Sequence, residues 1–597
     1  MSGGLFPRLI RWPAERDIDN VPRVDAGRLT VLILGGYGAF GGRLAQLLAD
    51  EPRLTLVIAG RSRAKAQAFC ASLGGAARIA AAEIDRDGDL GSAFAALAPD
   101  VVVDASGPFQ AYGDDPYRVV RAALAVGADY LDLADGSDFV RDVAQFDQAA
   151  KSQGRTVLSG VSSFPVLHAA VVRELARDLP RVDSTTVGIA PVPYAGVGGT
   201  VMRAVAGYAG KPVRLLRDGR AATGYALTET RRFTIAPPGR VPLDPLTFSL
   251  VDVPDLEALA AVRPELGSIW AGAAPTPAFL HAALRALARA VRWRILPSLA
   301  PLAPLMHRVV NALRLGERRG GMFVEIRGSD AAGRPATRSW HLVAEGDDGP
   351  RIPSMAAEIV VRRMLDGRAP APGARSAVNE VELADYERAF ARRAIVVGTR
   401  DAETLADAPL YRRILGRAWE DLPRCVRAVH GSAETSAFIG RARVERGGGA
   451  LAYALAGLLG FPRSTDDVEI RVTFVRARGR ETWRREFGTR RVTSVQWAGR
   501  DRYDGLLCER FGPFTFGLAL VVDAGRLRLV ARRWSLLGIP LPRRFVPRGE
   551  AFETETPRGF QFDVAIDLPL AGRLVRYSGW LEPTSAPSSA SSCERSG

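Results

Sequence analysis

VLILGGYGAFGGRLAQLL, residues 31–48, decides how this chain is read. Val31, Leu32, Ile33 and Leu34 form an apolar run of the kind that a buried parallel strand requires. A glycine turn follows, and then a helical pattern with Leu44, Leu47 and Leu48 on one face. Gly36, Gly38 and Gly41, with Ala39 and Phe40 between the last two, have the spacing G-x-G-x-x-G. Such glycines allow a tight turn, close backbone approach to a pyrophosphate, and close packing of helix on strand. The helix start adds free N–H groups and the positive end of a dipole. Glycines alone carry little weight in a glycine-rich chain. Between a buried strand and a helix they point to dinucleotide binding.

The next strand reads over residues 54–59. About twenty residues past the glycine turn, an NAD site carries an acid for the ribose 2′-hydroxyl. Here Gly60, Arg61, Ser62 and Arg63 occupy that place, with Lys65 close by. Cations and a hydroxyl suit a 2′-phosphate, so NADP is expected over NAD. A third strand ends at Asp85, expected on the adenine side, and a fourth, VVVDA, spans residues 101–105.

Composition bounds the rest. The chain has 597 residues, 47% hydrophobic and 24% charged, which is globular and long enough for several domains. Its formal net charge is +15, but lysine occurs only at Lys65, Lys151 and Lys211. So strong an arginine skew reflects genome composition more than a binding surface. Arg471, Arg476, Arg478, Arg480, Arg484 and Arg485 read as a basic patch, yet no nucleic-acid motif accompanies them, and no nucleic-acid partner is expected. Cys70, Cys425, Cys508 and Cys593 lie too far apart for a zinc site or a disulfide framework. No metal is expected, and a reducing cytoplasm fits. The opening residues lack the pattern of a signal peptide, and no window has the length of a charge-free membrane span. The nearest approach is 278–315, where Phe279, Leu280, Leu284, Leu287 and Val291 oppose Arg285, Arg289 and Arg292 before Pro297, Pro301 and Pro304 break the helix. Two readings stay open: a peripheral membrane contact, or a helix of the second domain with its arginines in water.

Residues 106–140 read SGPFQAYGDDPYRVVRAALAVGADYLDLADGSDFV. With GGYGAFG and AGRSRAKA, this stretch resembles the saccharopine dehydrogenase-like reductases. The matching residues are Gly107, Pro108, Phe109, Tyr112, Gly113, Gly127, Tyr130 and Asp132, and the likeness continues through SGVSSFPVLHAAVVREL at 159–175 and Gly198, Gly199 and Thr200. It covers roughly 29–395. The resemblance implies a nicotinamide-dependent oxidoreductase with a Rossmann domain, a mixed α/β second domain, and a chain that returns to the first domain. It also implies that Ser106, Gly107 and Pro108 lie at the nicotinamide end, with Phe109 either on the ring or in the interdomain core.

Hydride transfer to a carbonyl, imine or enoyl group needs a nearby proton donor. Tyr112, His168 and Tyr194 are the candidates, although His168 in its apolar helix pattern reads rather as a structural histidine and the two tyrosines as packing residues. Asp132 and Asp135, at the end of a strand, either shape a pocket or cap the next helix.

The domains expected are thus 29–158, a Rossmann dinucleotide-binding domain; 159–398, an α/β substrate domain; 409–583, a largely antiparallel, barrel-like β domain; and 584–597, a disordered polar tail. Residues 396–408 read as a linker, and 409–429 as helical. The β-rich region resembles a domain of unknown function attached to bacterial reductases; its curved sheet encloses either an apolar ligand or a packed core. The function expected is that of an NADP-dependent oxidoreductase acting on a small or lipid-like substrate, in a fold compatible with homo-oligomers. The alternative is a nucleotide-binding scaffold or membrane-surface adaptor without turnover.

Overall fold

A computed structural model describes residues 28–584 except 314, 403–406, 433–434 and 478. Of the polar tail expected at 584–597, all but Thr584 lies outside the described residues, as does Arg478.

The first sheet has seven parallel strands in the order Gly373–Ser376, Thr156–Ser159, Asp129–Asp132, Val101–Asp104, Leu29–Leu34, Leu54–Gly60 and Arg78–Glu83. Its central strands are buried along nearly their whole length, because helices cover both faces and leave no polar side to alternate with. The edge strand Gly373–Ser376 arrives from beyond the second domain. So does the helix Ile352–Leu365, which packs on Gly41–Leu48, the helix that follows the glycine turn. Ser354 Oγ donates to the Phe40 carbonyl at 3.0 Å, and Arg362 donates to the Leu47 carbonyl at 2.8 Å. The return of the chain therefore braces the glycine turn.

The second domain is a mixed sheet centred on Arg181–Ala190, flanked by Ser268–Ala273 and by the hairpin of Arg319–Ser329 with Pro335–Glu345. The stretch read as a linker begins differently: Ile395–Asp401 is a strand that pairs with Pro335–Glu345. Its VV and its small following residues supply no strong alternation, so the tertiary pairing decides. Pro304, read as a helix breaker, stands in the first turn of the helix Ala303–Ala312, where its missing N–H costs nothing.

Ten antiparallel strands of the C-terminal region close on themselves, since Phe514–Asp523 pairs with both Leu507–Phe511 and Arg526–Leu536. The helices Leu410–Leu415 and Arg424–Gly431 send Tyr411 and His430 into the barrel. Its interior is a packed and partly polar core. His430 Nε2 lies 2.5 Å from Glu553, Tyr411 donates to Gln496 at 3.0 Å, and Arg485 meets Glu509 and Ser494. The supposed basic patch is corrected here. Strand alternation turns Arg485 inward, and Arg476 bonds the Val429 carbonyl and Ser436, so only Arg471, Arg480 and Arg484 of the described members face solvent.

The barrel's apolar core is separate from the one shared by the first two domains. It docks on the second domain through Arg533 and Arg543 to Asp244, Arg532 to Glu317, and Val241 against Leu506, Ala519 and Val521. Arg400 donates to the carbonyls of Ala236 and Ile414, and burial lowers its guanidinium to about 10.

Candidate functional site at the domain junction

Leu34 leads directly into Gly35, whose φ of +77° and 2.7 Å spacing from a built Cβ to the Ala105 carbonyl exclude other residues. Sequence reading passed over this glycine because it precedes the motif. A Cβ on Gly36 would lie 2.7 Å from the Ile33 carbonyl; on Gly38 and Gly41 it would lie 2.9 and 2.4 Å from the Gly35 carbonyl. The turn is thus coiled as tightly as backbone allows. The helix Gly41–Leu48 starts at Phe40 with no side-chain cap; the Gly42 amide donates to the Gly38 carbonyl at 2.9 Å, while the amides of Gly41 and Arg43 keep no backbone partner in the turn. These residues fit the pyrophosphate of a dinucleotide.

At the end of Leu54–Gly60, the Tyr37 ring from the glycine turn covers Gly60, where a Cβ would come within 2.6 Å of it. The Ser62 amide donates to the Tyr37 hydroxyl at 3.1 Å, and Ser62 Oγ caps the helix Arg63–Ser72 by accepting from the Lys65 amide. Arg61 is exposed beside it. A carboxylate, Glu83, does stand near this corner, accepting from the Arg63 amide at 3.3 Å. Asp85 is exposed and accepts from the Asp87 amide.

At the carboxyl end of the sheet, Asp104 is fully buried. It accepts from the amide and hydroxyl of Ser106 at 2.9 and 2.6 Å, and Tyr112 adds its hydroxyl 2.8 Å from Ser106 Oγ. The Arg86 guanidinium stacks on the Tyr112 ring, 3.4 Å from its centroid. Burial raises both Asp104 and Tyr112, and the charge of Asp104 lifts the tyrosine further. Tyr112 is therefore tied down and reluctant to release its proton. Phe109 packs on Tyr112 and Phe139 at 4.8 and 5.0 Å, within the first domain's aromatic cluster. Next to Asp104 in register, Asp132 accepts from the Ala134 and Gly160 amides, and burial pushes it up to about 7. It holds two loops at the strand ends. Arg86 and Asp104 were missed in the sequence, where each reads as an ordinary charge beside a strand.

One cavity of about 930 Å³ runs from this end into the second domain. Ala39, Phe40, Gly107, Pro108 and Phe109 line it on the cofactor side. Leu280, Leu284 and Leu287 of the helix Ala278–Arg292 line it opposite, with Met306 and Val310 of Ala303–Ala312. The walls are mostly apolar. Asp135 and Asp252 also line it, together with Tyr208. Gln110 donates to Asp135 at 3.0 Å and Ser137 to Asp252 at 2.9 Å. Burial raises both carboxyls, and the charge of Asp252 raises Asp135 further. Asp135 does not cap the following helix, which starts at Gly136 with no side-chain cap. Burial and then Arg285 lower His281 to about 4, and its ring lies 2.7 Å from Ser249 Oγ.

The remaining sequence candidates lie outside the cavity wall. His168 is fully buried with Nδ1 2.6 Å from Asp255, and Tyr194 is an exposed ring under Arg318. Asp252, Tyr208 and His281 were not singled out, since each stands far from the glycine turn in sequence and only the folded second domain brings them to it. No group of three His, Cys, Asp or Glu side chains among the described residues is arranged to hold a metal.

A parallel sheet, an uncapped helix behind a tight glycine turn and an apolar cleft at the strand ends define a Rossmann-type dinucleotide-binding protein. The family comparison agrees: residues 31–158 match the Saccharopine dehydrogenase NADP binding domain, and residues 422–581 match Domain of unknown function (DUF4166). No curated protein matches the chain. Among solved structures, the fold is similar to apo saccharopine dehydrogenase (L-Glu forming) from Saccharomyces cerevisiae, at 16% identity and TM-score 0.45, over 62% of this chain and 99% of that one. It is also similar to biliverdin reductase with biliverdin and NADP+ from Synechocystis sp. PCC 6803, at 12% identity and TM-score 0.28, over 60% and 94%.

Proposed function

We propose that this chain is an NADP-dependent oxidoreductase acting on a lipid-like carbonyl, imine or enoyl substrate. The observation that carries the reading is the apolar cavity of about 930 Å³, walled on one side by the glycine turn and the loop at Pro108, and on the other by helices of the second domain. A bound nicotinamide would supply or accept the hydride. The chain's own residues do the rest. The turn at Gly36, Gly38 and Gly41 and the uncapped helix start would hold the pyrophosphate, with Ala39 and Phe40 supplying backbone. Arg61 and Ser62 would take the 2′-phosphate, and Ala105, Gly107 and Pro108 would border the nicotinamide end. The leucines exclude water and hold an apolar chain. Asp135 and Asp252, kept protonated more readily than ordinary carboxyls, would deliver the proton.

Turnover of NADPH with carbonyl, imine and enoyl-thioester substrates of increasing chain length tests the reading. Rates should rise with chain length. NADPH binding without oxidation across the whole panel would favour the scaffold alternative.

Arg61→Asp should weaken NADPH by roughly tenfold or more and leave NADH little changed, because the new carboxylate repels only the 2′-phosphate. Equal losses for the two cofactors, titrated side by side, would count against the phosphate role.

Among the residues lining the cavity, none comes from the barrel. A chain ending at Asp401 should accordingly bind NADPH within about tenfold of the full chain, roughly 1.4 kcal/mol. A larger loss in the soluble truncated protein would mean that the barrel reaches the site.

A further inference from the structure

Between positions 277 and 316 the chain carries Arg285, Arg289, Arg292, Arg294, Arg308 and Arg314 and not one Asp or Glu. The folded chain gives that strip a second property. Trp293 is 67% exposed, Ile295 69%, Leu305 59% and Phe279 57%, and Leu302, Leu313 and Leu315 are exposed as well. These are large apolar side chains concentrated on one segment, where scattered single exposures would be ordinary. Leu284, Leu287, Ala288 and Val291 already seat the inner side of the helix Ala278–Arg292 on the apolar core. The outward residues are surplus to the fold. Leu302 and Leu305 are both exposed and part of the cavity wall, so they stand at the mouth of the cavity.

We infer that the 277–316 segment seats the protein on an anionic lipid surface, with the mouth of the cavity at that surface. Three features select this occupant. Arg285, Arg289, Arg294 and Arg308 find no carboxylate partner among the described residues, and an anionic surface supplies one for each. A second copy would set arginines against arginines across a two-fold axis. Trp293, with Arg292 and Arg294 on either side, has the amphipathic ring and flanking cations that settle at the headgroup level. The segment lies on the surface without crossing it: among the described residues no helix is long and apolar enough to span a membrane.

The test uses the full chain and two kinds of vesicle: phosphatidylcholine alone, and phosphatidylcholine with phosphatidylglycerol. The protein should sediment with the anionic vesicles, weakly with the neutral ones, and less as salt is added. Trp293→Ser combined with Ile295→Ser should weaken anionic-vesicle binding roughly thirtyfold or more. Its NADPH affinity should stay that of the parent, which shows that the fold is kept. Leu313→Ser combined with Leu315→Ser provides a second variant on the same strip, with the same expectation. Wild-type protein that stays in the supernatant with anionic vesicles overturns the proposal, as do variants that sediment like wild type. So does light scattering in which the substitutions turn a dimer into a monomer without altering vesicle binding. Vesicle binding needs no turnover, so this outcome is separate from the success or failure of the proposed reaction.

Discussion

Gly38→Val is expected to lower NADPH affinity by at least about a hundredfold, some 2.7 kcal/mol, while the circular dichroism spectrum stays that of the parent. A Cβ there already meets the Gly35 carbonyl at 2.9 Å, so the turn must open, and the valine methyls then stand over the amides meant for the phosphates. Position 38 is a cleaner choice than 41. At Gly41 the same carbonyl lies 2.4 Å away and Gly36 Cα at 3.0 Å, so a side chain would also separate helix from strand. Isothermal titration with NADPH decides the matter. An unchanged affinity would show that the turn holds no phosphate.

The second large effect is expected at the two carboxyls in the cavity wall. Asp252→Asn and Asp135→Asn should each reduce kcat for substrate reduction by about a hundredfold with NADPH affinity unchanged. The sign of the pH dependence follows from burial. Both groups hold their protons to higher pH than exposed carboxyls, and the donor must be protonated to act. The wild-type reduction rate should fall as pH rises through the raised pKa values of the pair, and the variants should be slow with that limb flattened. Neighbouring groups are poorer donors. His281, lowered to about 4, is neutral near pH 7, and burial raises the Tyr208 hydroxyl above the ordinary tyrosine range. Variants within about threefold of wild type would move the donor elsewhere.

The parts legible in the sequence share one trait: each is written in a short local pattern. The strand, glycine turn and helix at 31–48 need only their own residues to be recognised, and so do the alternating strands of the barrel. Arg485 shows where alternation fails, because an inward position holds a cation whose partners, Glu509 and Ser494, lie on other strands. The strand Ile395–Asp401 was lost for a related reason, since its partner Pro335–Glu345 lies far back in the chain. The cavity was the least legible. Asp135 comes from the first domain and Asp252 from a loop of the second, and no spacing records that they face one space. Tyr112 and His168, by contrast, stood in recognisable motifs and proved to be engaged with Asp104 and Asp255.

The edge strand Gly373–Ser376 has a consequence for how the protein is made. On the ribosome, Thr156–Ser159 emerges with its hydrogen-bonding edge bare and waits for a partner that follows the whole second domain. A nascent chain in that interval carries an open apolar sheet edge, the kind of surface on which chains misassociate. The same holds for a fragment cut at residue 158, where the family match ends, which would keep every glycine of the turn and lack the helix whose Ser354 ties down Phe40. The smallest piece able to bury its own cofactor sheet must run past Ser376, and so it must carry the substrate half with it.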